Sequence, residues 1–241
     1  MASRPKQTIA QQLTAGHLLI QNSIADEEIA TLVAAFGYTP SNLEDGLDLH
    51  STAVEAVEAQ QNKAGAQKIA TQQFLEAQKT AHDAYQALAK VARAIYQQDE
   101  ATLTALGLTG SMPKDVAGFL AAAYTLFDNA ITLVPLAAYG YDEVKLPAER
   151  AKIAALDSAN QAQEMAKGAA QQATIEQDAA LKALNEWTAQ YRKIAKVALR
   201  GHKQLLEKIG IAARTSPTKA QIEGKAKAAL TRAAKKAGGN G

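Results

Sequence analysis

Apolar residues recur at helical spacing along most of the chain, and the prolines divide that pattern into two long stretches. The stretches from Pro40 to Pro113 and from Pro147 to Pro217 contain no internal proline. A proline inside a helix removes a hydrogen bond and clashes with the preceding turn, so each stretch can hold one long helix of ~55 residues. The residues that follow helical spacing are Leu43, Leu47, Val54, Val57, Leu75, Tyr85, Leu88, Val91 and Ile95, and then Ile153, Leu156, Leu181, Leu184, Tyr191, Ile194 and Val197.

Shorter helices are predicted around the two long ones. Thr39 resembles a helix N-cap followed by proline at the first helical position, and Ser41 and Asn42 are alternative starts. Asp99 is placed to cap a short helix that ends at Gly107. Residues 200–202 form the equivalent turn before a short helix over 203–209. Four further short helices are predicted over 9–20, 24–36, 113–127 and 129–139. Gly65 and Gly168 permit a break in the long helices without requiring one.

The chain contains an internal repeat at a constant offset of 103 positions from about residue 34 to residue 108. Matched residues are Phe36-Gly37-Tyr38 with Tyr139-Gly140-Tyr141, Leu43 with Leu146, Lys90-Val91-Ala92 with Lys193-Ile194-Ala195, and Leu106-Gly107-Leu108 with Ile209-Gly210-Ile211. We interpret this as a duplication, with one helical repeat over 1–108, a second over 109–212 and a basic C-terminal tail over 213–241. Residues 15–19 also match 117–121, at an offset of 102.

Composition supports a helical fold. Alanine makes up nearly half of the apolar residues, aromatic residues are only 5%, and Gln, Lys, Glu and Leu are abundant. We predict an all-α protein whose two long helices pack antiparallel around a pseudo-twofold axis, with the shorter helices at the ends. Tyr38, Tyr141, Leu106 and Ile209 are the expected anchoring residues. No cysteine is present, and the first residues lack the apolar segment of a signal peptide, so a cytoplasmic location is expected.

The pattern predicts no catalytic residue, cofactor-binding residue or metal ligand. None of the four histidines (His17, His50, His82 and His202) stands in a His-Glu-x-x-His or Glu-x-x-His motif. His50 falls on the Leu43 and Leu47 face and is expected in or beside the core, and the other three in turns or at the surface. The acidic clusters at 26–28 and 44–48 fit helix N-termini, and no phosphate-binding loop is found.

The most apolar stretch, Val116 to Tyr141, has Asp128 as its only charge. Two interpretations stay open, a buried pair of short helices and a membrane-inserting hairpin. We favour the buried pair, because the matching part of the first repeat carries Asp26-Glu27-Glu28 and is not membrane-like.

Charge is distributed unevenly. From Arg214 to Gly241 the chain has seven basic residues and one acid, Glu223, whereas the rest of the chain is net acidic. The residues that could contact a polyanion are Arg214, Lys219, Lys225, Lys227, Arg232, Lys235 and Lys236. Without an aromatic residue to stack on bases, such binding would be weak, nonspecific and salt-dependent.

The second repeat resembles a family of uncharacterised bacterial helical proteins that contain a duplicated unit of this kind. The resemblance lies in residues 106–110, 117–119, 127–130, 167–174, 178–181, 186–187 and 204–211, and extends over about 24–212. It implies an all-helical fold and brings no activity, ligand or catalytic residue with it.

Two classes of function follow from these observations. The first is a non-enzymatic structural or interaction protein that binds a protein partner or a second copy of itself. The alternative is a nucleic-acid-associated protein that contacts phosphates through its basic tail. An enzyme ranks third.

Overall fold

The computed structural model describes residues 7–212, 223–224 and 227–229, and all regular structure within these ranges is helical. The helices in chain order are α1 (Ile9–Ala25), α2 (Glu27–Ala34), α3 (Pro40–Ile95), α4 (Glu100–Ala105), α5 (Val116–Ala130), the 3₁₀ helix η1 (Val134–Tyr139), α6 (Lys145–Ala198) and α7 (Lys203–Lys208). The predicted all-α fold with two long helices, α3 and α6, is therefore confirmed.

The predicted caps explain where several helices begin. The Thr39 hydroxyl accepts a hydrogen bond from the backbone N–H of Asn42 at 3.5 Å, and the Asp99 carboxylate accepts one from Thr102 at 3.0 Å. Between its ends α3 runs for 56 residues through Gly65, and α6 runs for 54 residues through Gly168. The long helices thus continue without a break at either glycine.

The helices α4 and α7 end in the same way. Gly107 and Gly210 adopt left-handed φ angles of 69° and 71°, which glycine allows at little cost. The next residues, Leu108 and Ile211, donate to the carbonyls of Leu103 and Leu206 at 2.8 Å and 2.9 Å. This arrangement satisfies the last carbonyls of each short helix and turns the chain inward. Leu106, Ile209 and Tyr141 are buried as expected, whereas Tyr38 is half-buried.

The segment between α5 and α6 differs from the prediction. In place of a helix over 129–139, α5 continues to Ala130 and the 3₁₀ helix η1 follows, because Pro135 fixes its own φ and lacks the N–H that an α-helix interior needs. The helix α6 begins at Lys145, two residues before Pro147. The Asp142 carboxylate accepts hydrogen bonds from the N–H groups of Val144 at 3.1 Å and Lys145 at 2.8 Å, and proline is tolerated in the first turn.

The chain divides into two compact units, and each takes part of both long helices. Unit 1 comprises 1–53 and 181–241, and unit 2 comprises 54–180. These units and the predicted repeats divide the chain at different places, so the repeat boundaries stay a prediction about the sequence.

Unit 1 is built on contacts between the first turns of α3 and the last turns of α6. The Tyr38 ring lies 4.7 Å from the Tyr191 ring and 5.7 Å from the Trp187 ring, measured between centroids. Gly46 lies directly under the Trp187 indole, so residues further along α3 meet residues earlier in α6 and the two helices run antiparallel here. The buried core of this unit consists of Leu19, Ile29, Val33, Leu43, Tyr191, Ala195, Leu199, Leu205, Ile209 and Ile211.

Unit 2 contains the larger apolar core. Phe119 on α5 is buried, with its ring stacked 3.9 Å from the His82 ring and edge-on to Tyr85 at 5.6 Å. Further buried side chains come from α3, α5, η1, α6 and the residue that follows α4, among them Leu88, Leu106, Leu126, Phe127, Leu136, Leu146, Ile153 and Leu156. Burying such side chains contributes about 1.5–3 kcal/mol each, which offsets the entropy lost on folding.

A pair of glycine substitutions tests the close helix contact in unit 1. A Cβ at Gly46 would lie 2.5 Å from the Trp187 ring, whereas a Cβ at Gly16 would lie 3.6 Å from Leu184, at ordinary contact distance. We expect Gly46→Ala to lower the free energy of unfolding by about 1–3 kcal/mol, because the indole must move. Gly16→Ala should raise it by about 0.5–1 kcal/mol through helix propensity.

Urea unfolding followed by the fluorescence of the single tryptophan measures both effects, since both glycines lie in the unit that contains Trp187. An equal response to the two substitutions would show that α3 and α6 do not approach each other closely at Gly46.

Candidate functional site

The predicted polyanion-contact residues fall mostly beyond the described part of the chain. Arg214, Lys219, Lys225, Arg232, Lys235 and Lys236 lie outside the described residues. Lys227 belongs to the short described helical stretch 227–229 and is exposed. The hypothesis of a polyanion contact through these seven residues therefore stays a prediction.

The four histidines lie at three separate places. The rings of His17 and His50 are 5.0 Å apart between centroids, His82 stacks on Phe119, and His202 faces Glu28 at 3.4 Å. Half-burial lowers the pKa of His50 below its usual value of 6.5, and the nearby His17 lowers it further, while a hydrogen bond with the Leu13 backbone opposes the shift. Within the described ranges, no group of three or more His, Cys, Asp or Glu residues is arranged to hold a metal ion.

The apolar stretch of residues 116–141 is divided between core and surface. The α5 residues Phe119, Leu126 and Phe127 are buried, which agrees with the interpretation of a buried helix. In η1 and the residues before it, Val134, Tyr139 and Ile131 are exposed. None of the described helices is long and apolar enough to cross a membrane.

A polar groove in unit 1 lies between α1 and the last turns of α6. It measures about 170 Å³ and is lined by Gln7, Gln12, Ala15, Gly16, Asn185, Thr188, Ala189 and Arg192. The Asn185 amide donates to Gln12 Oε1 at 2.7 Å, and the Gln12 amide donates to the Gln7 carbonyl at 2.9 Å. These hydrogen bonds hold the wall of the groove in one arrangement.

A second, mainly apolar groove lies beside the polar one and shares Ala15 and Arg192 with it. It measures about 420 Å³, and its other lining residues are Ala10, Gln11, Thr14, Leu18 and Gly210. Leu18 is 40% exposed although it is a large apolar residue, and it packs against the backbone at Gly210. Small side chains on α1 leave this surface open, because alanine does not fill the space beside Arg192.

Among the described residues that line the two grooves, Arg192 is the only one with a charged side chain. Its Nε is buried and has no hydrogen-bond partner among the described residues. Leaving a buried donor unpaired costs about 1–3 kcal/mol. Such a group is prepared to bind a planar anion through two parallel N–H bonds.

Sequence reasoning missed this site because no motif marks it. The signal that could have found it is in the repeat, since Lys193 matches Lys90 and Arg192 therefore stands where the first repeat has Ala89. A buried alanine in one copy and an arginine in the other points to different surroundings.

Tyr191, which precedes Arg192, is fully buried in the core of unit 1. Burial raises the pKa of Tyr191, while the Ser23 hydroxyl opposes the shift and the charge of Tyr38 adds to it. The Ser23 hydroxyl donates to the Leu19 carbonyl at 2.7 Å, and the Tyr191 hydroxyl makes no hydrogen bond of good geometry with any described residue. Tyr191 therefore anchors α6 through its ring, which fixes the position of the neighbouring Arg192.

Comparison of the chain with protein-family models, with curated proteins and with solved structures finds no match. The resemblance to bacterial helical proteins with a duplicated unit therefore stays a prediction. Function has to be inferred from the geometry of the chain's own residues.

His50 should make stability depend on pH. Its pKa in the folded state lies below the unfolded value of 6.5, so the unfolded chain binds more protons as the pH falls. The stability contribution is present above the unfolded pKa and is lost as the pH falls through the folded pKa. We expect a lower unfolding temperature at about pH 5.5 than at about pH 7.5, and a smaller difference in His50→Gln.

Calorimetry at the two pH values measures this effect, with His82→Gln in unit 2 as the control. A His50→Gln protein with the full pH dependence would show that other groups cause it.

Proposed function

We propose that the protein is a non-enzymatic interaction protein, with a structural or scaffold-like role, and that a partner docks in the two adjoining grooves of unit 1. The observation that carries the proposal is the Arg192 guanidinium, which lines both the polar and the apolar groove and whose Nε is buried without a hydrogen-bond partner among the described residues. A partner that supplies an anion would form an ion pair with this guanidinium, which lines both grooves.

The remaining lining groups are of the kinds that recognise a partner. The apolar groove offers methyl groups and Leu18, and the polar groove offers the Asn185 and Gln12 amides beside the Thr188 hydroxyl. An apolar surface with a few fixed polar groups gives affinity through burial and specificity through hydrogen bonds.

We also propose that the chain contains a duplicated helical element. Two hydrogen bonds support it, one in each unit: Asn22 donates its amide to the Lys208 carbonyl at 2.6 Å, and Asn129 donates to the Ala105 carbonyl at 2.6 Å. The buried residues of α1 (Gly16, Leu19, Ile20 and Ser23) correspond to those of α5 (Ala123, Leu126, Phe127 and Ala130) 107 positions further on, a different register from the match of 15–19 with 117–121. The pseudo-twofold arrangement stays a prediction, as do a bacterial source and a cytoplasmic location.

A second candidate function is nucleic-acid association through the basic tail. It is favoured by the charge of residues 214–241, which include seven basic residues and one acid. Such a segment attracts phosphate without reading sequence.

Differential capture tests the docking proposal. The full chain, Arg192→Gln and Arg200→Gln serve as baits in extracts of the native host. Arg200 is an exposed arginine of the same unit that lines neither groove, so it matches the loss of charge. We expect a protein that is retained by the full chain and by Arg200→Gln and is lost with Arg192→Gln. Equal retention by all three baits would show that the grooves are not the docking site.

Deletion of residues 214–241 tests the alternative. Binding of a labelled DNA duplex should be weak, should fall steeply with salt and should disappear on deletion, while the unfolding temperature stays unchanged. Undiminished DNA binding by the truncated chain would overturn the role of the tail.

A further inference from the structure

Unit 1 has polar residues where unit 2 has a filled aromatic core. In unit 2, Phe119 is 2% exposed, stacks on His82 and meets Tyr85 edge-on, next to the buried Ala89. In unit 1 the residue of α1 that corresponds to Phe119 is Gln12, which lies 107 positions earlier. This is the offset that relates the buried residues of α1 and α5. The corresponding residues of α6, 103 positions after His82, Tyr85 and Ala89, are Asn185, Thr188 and Arg192. All four line the polar groove.

Under the proposed duplication, unit 2 closes these positions with side chains that pack into its core. Unit 1 instead keeps a cation and three neutral polar residues at these positions and leaves a groove of about 170 Å³. A buried guanidinium Nε without a partner is destabilising, so packing alone does not account for Arg192. These residues are better explained by a ligand that unit 2 does not take.

Charge limits the ligand to a small anion. One guanidinium faces the grooves, and among the described residues no other charged side chain lines either of them. A carboxylate carries one negative charge and matches the planar fork of arginine with two parallel hydrogen bonds. A phosphate monoester carries nearly two charges and would leave one of them without a counter-charge.

The adjoining groove adds an apolar element to the ligand. It measures about 420 Å³, enough for an aliphatic side chain and the backbone next to it, and it starts at Arg192 and Ala15. The half-exposed Leu18 lies on its surface, where an aliphatic group would cover it. The ligand thus places an apolar group within a few ångströms of its carboxylate.

Amide side chains favour a polypeptide over a fatty acid. Gln7, Gln11, Gln12 and Asn185 line the two grooves, and amides pair with the N–H and C=O groups of a peptide backbone. Three of these amides already make hydrogen bonds within the protein, through Asn185 Nδ2, Gln12 and Gln11 Oε1. A fatty acid would place methylene groups against the remaining amide donors and acceptors and pair with none of them. Capture of a chain end by backbone-like hydrogen bonds and one cation is an established mode of peptide recognition.

We infer that the two grooves bind the carboxyl terminus of a partner polypeptide that ends in an aliphatic residue, with the terminal carboxylate on Arg192 and the last side chain against Leu18 and Ala15. This inference rests on the proposed function and names the chemistry of the partner. The aliphatic side chain enters the 420 Å³ groove, and the preceding residues leave along the glutamine side chains of α1.

The test uses a fluorescent six-residue peptide of alternating serine and alanine that ends in leucine. It is prepared with a free carboxyl terminus and with a carboxamide, and binding to the full chain is followed by anisotropy. The free acid should bind roughly 10- to 100-fold more tightly than the amide, because a hydrogen-bonded ion pair is lost in the amide. A free acid that ends in serine should bind several-fold more weakly than the one that ends in leucine.

Variants assign the effect to Arg192. Arg192→Gln should reduce the affinity for the free acid by at least about tenfold and leave the amide unchanged, whereas Arg200→Gln should change neither. Ala10→Glu is a second variant that should fold, because Ala10 is exposed in the first turn of α1, where an acid is favourable. This variant places a carboxylate in the apolar groove and should also lower the affinity for the free-acid peptide several-fold.

Three results would overturn the inference. They are equal affinity for the acid and the amide, an acid preference that survives Arg192→Gln, and binding of octanoate with no binding of the peptide. If differential capture still depends on Arg192 in any of these cases, the docking function stands and only the carboxyl-terminal chemistry is wrong.

Discussion

The architecture of unit 1 depends on the contact between the Trp187 indole and the backbone of α3 at Gly46. Only a glycine allows the ring to lie there, since a Cβ would stand 2.5 Å from it. Tyr38 and Tyr191 pack around the same ring. This cluster fixes the rotation of α6 about its own axis, because two aromatic residues four positions apart lie on one side of a helix.

Once α6 is fixed in this way, the residues at 185, 188 and 192 lie together on another side of the helix, which meets α1. Asn185 holds the wall of the polar groove through its hydrogen bond to Gln12, and the Thr188 hydroxyl donates to the Asn185 carbonyl at 3.1 Å. The third is Arg192, which has no described partner for its Nε. In the proposed docking function, a binding group on a long helix anchored by aromatic packing would keep its position without a ligand, which lowers the entropy lost on binding.

Small residues explain why unit 1 can keep open grooves and still fold. Gly16 brings α1 close to α6 at Leu184 and Thr188, while Ala10 and Ala15 leave space on either side of that contact. Below the grooves, the core of Leu19, Ile29, Leu43, Tyr191 and Ile209 is fully or almost fully buried. These core residues line neither groove, which agrees with the proposed role of the lining residues in recognition.

The sequence by itself determined the helical class, the two long helices and most of the helix ends. Proline spacing, the caps at Thr39 and Asp99 and the glycines at 107 and 210 act through local backbone geometry, which depends on residues a few positions away. Even the 3₁₀ helix over Val134–Tyr139 has a local cause in Pro135, although the spacing alone predicted an α-helix. Only the tertiary structure decided that Arg192 stands beside α1, because Gln12 and Asn185 are 173 positions apart and meet through packing. Helix periodicity gives the face on which a residue lies, but which helix covers that face is set by nonlocal contacts such as that between Gly46 and Trp187.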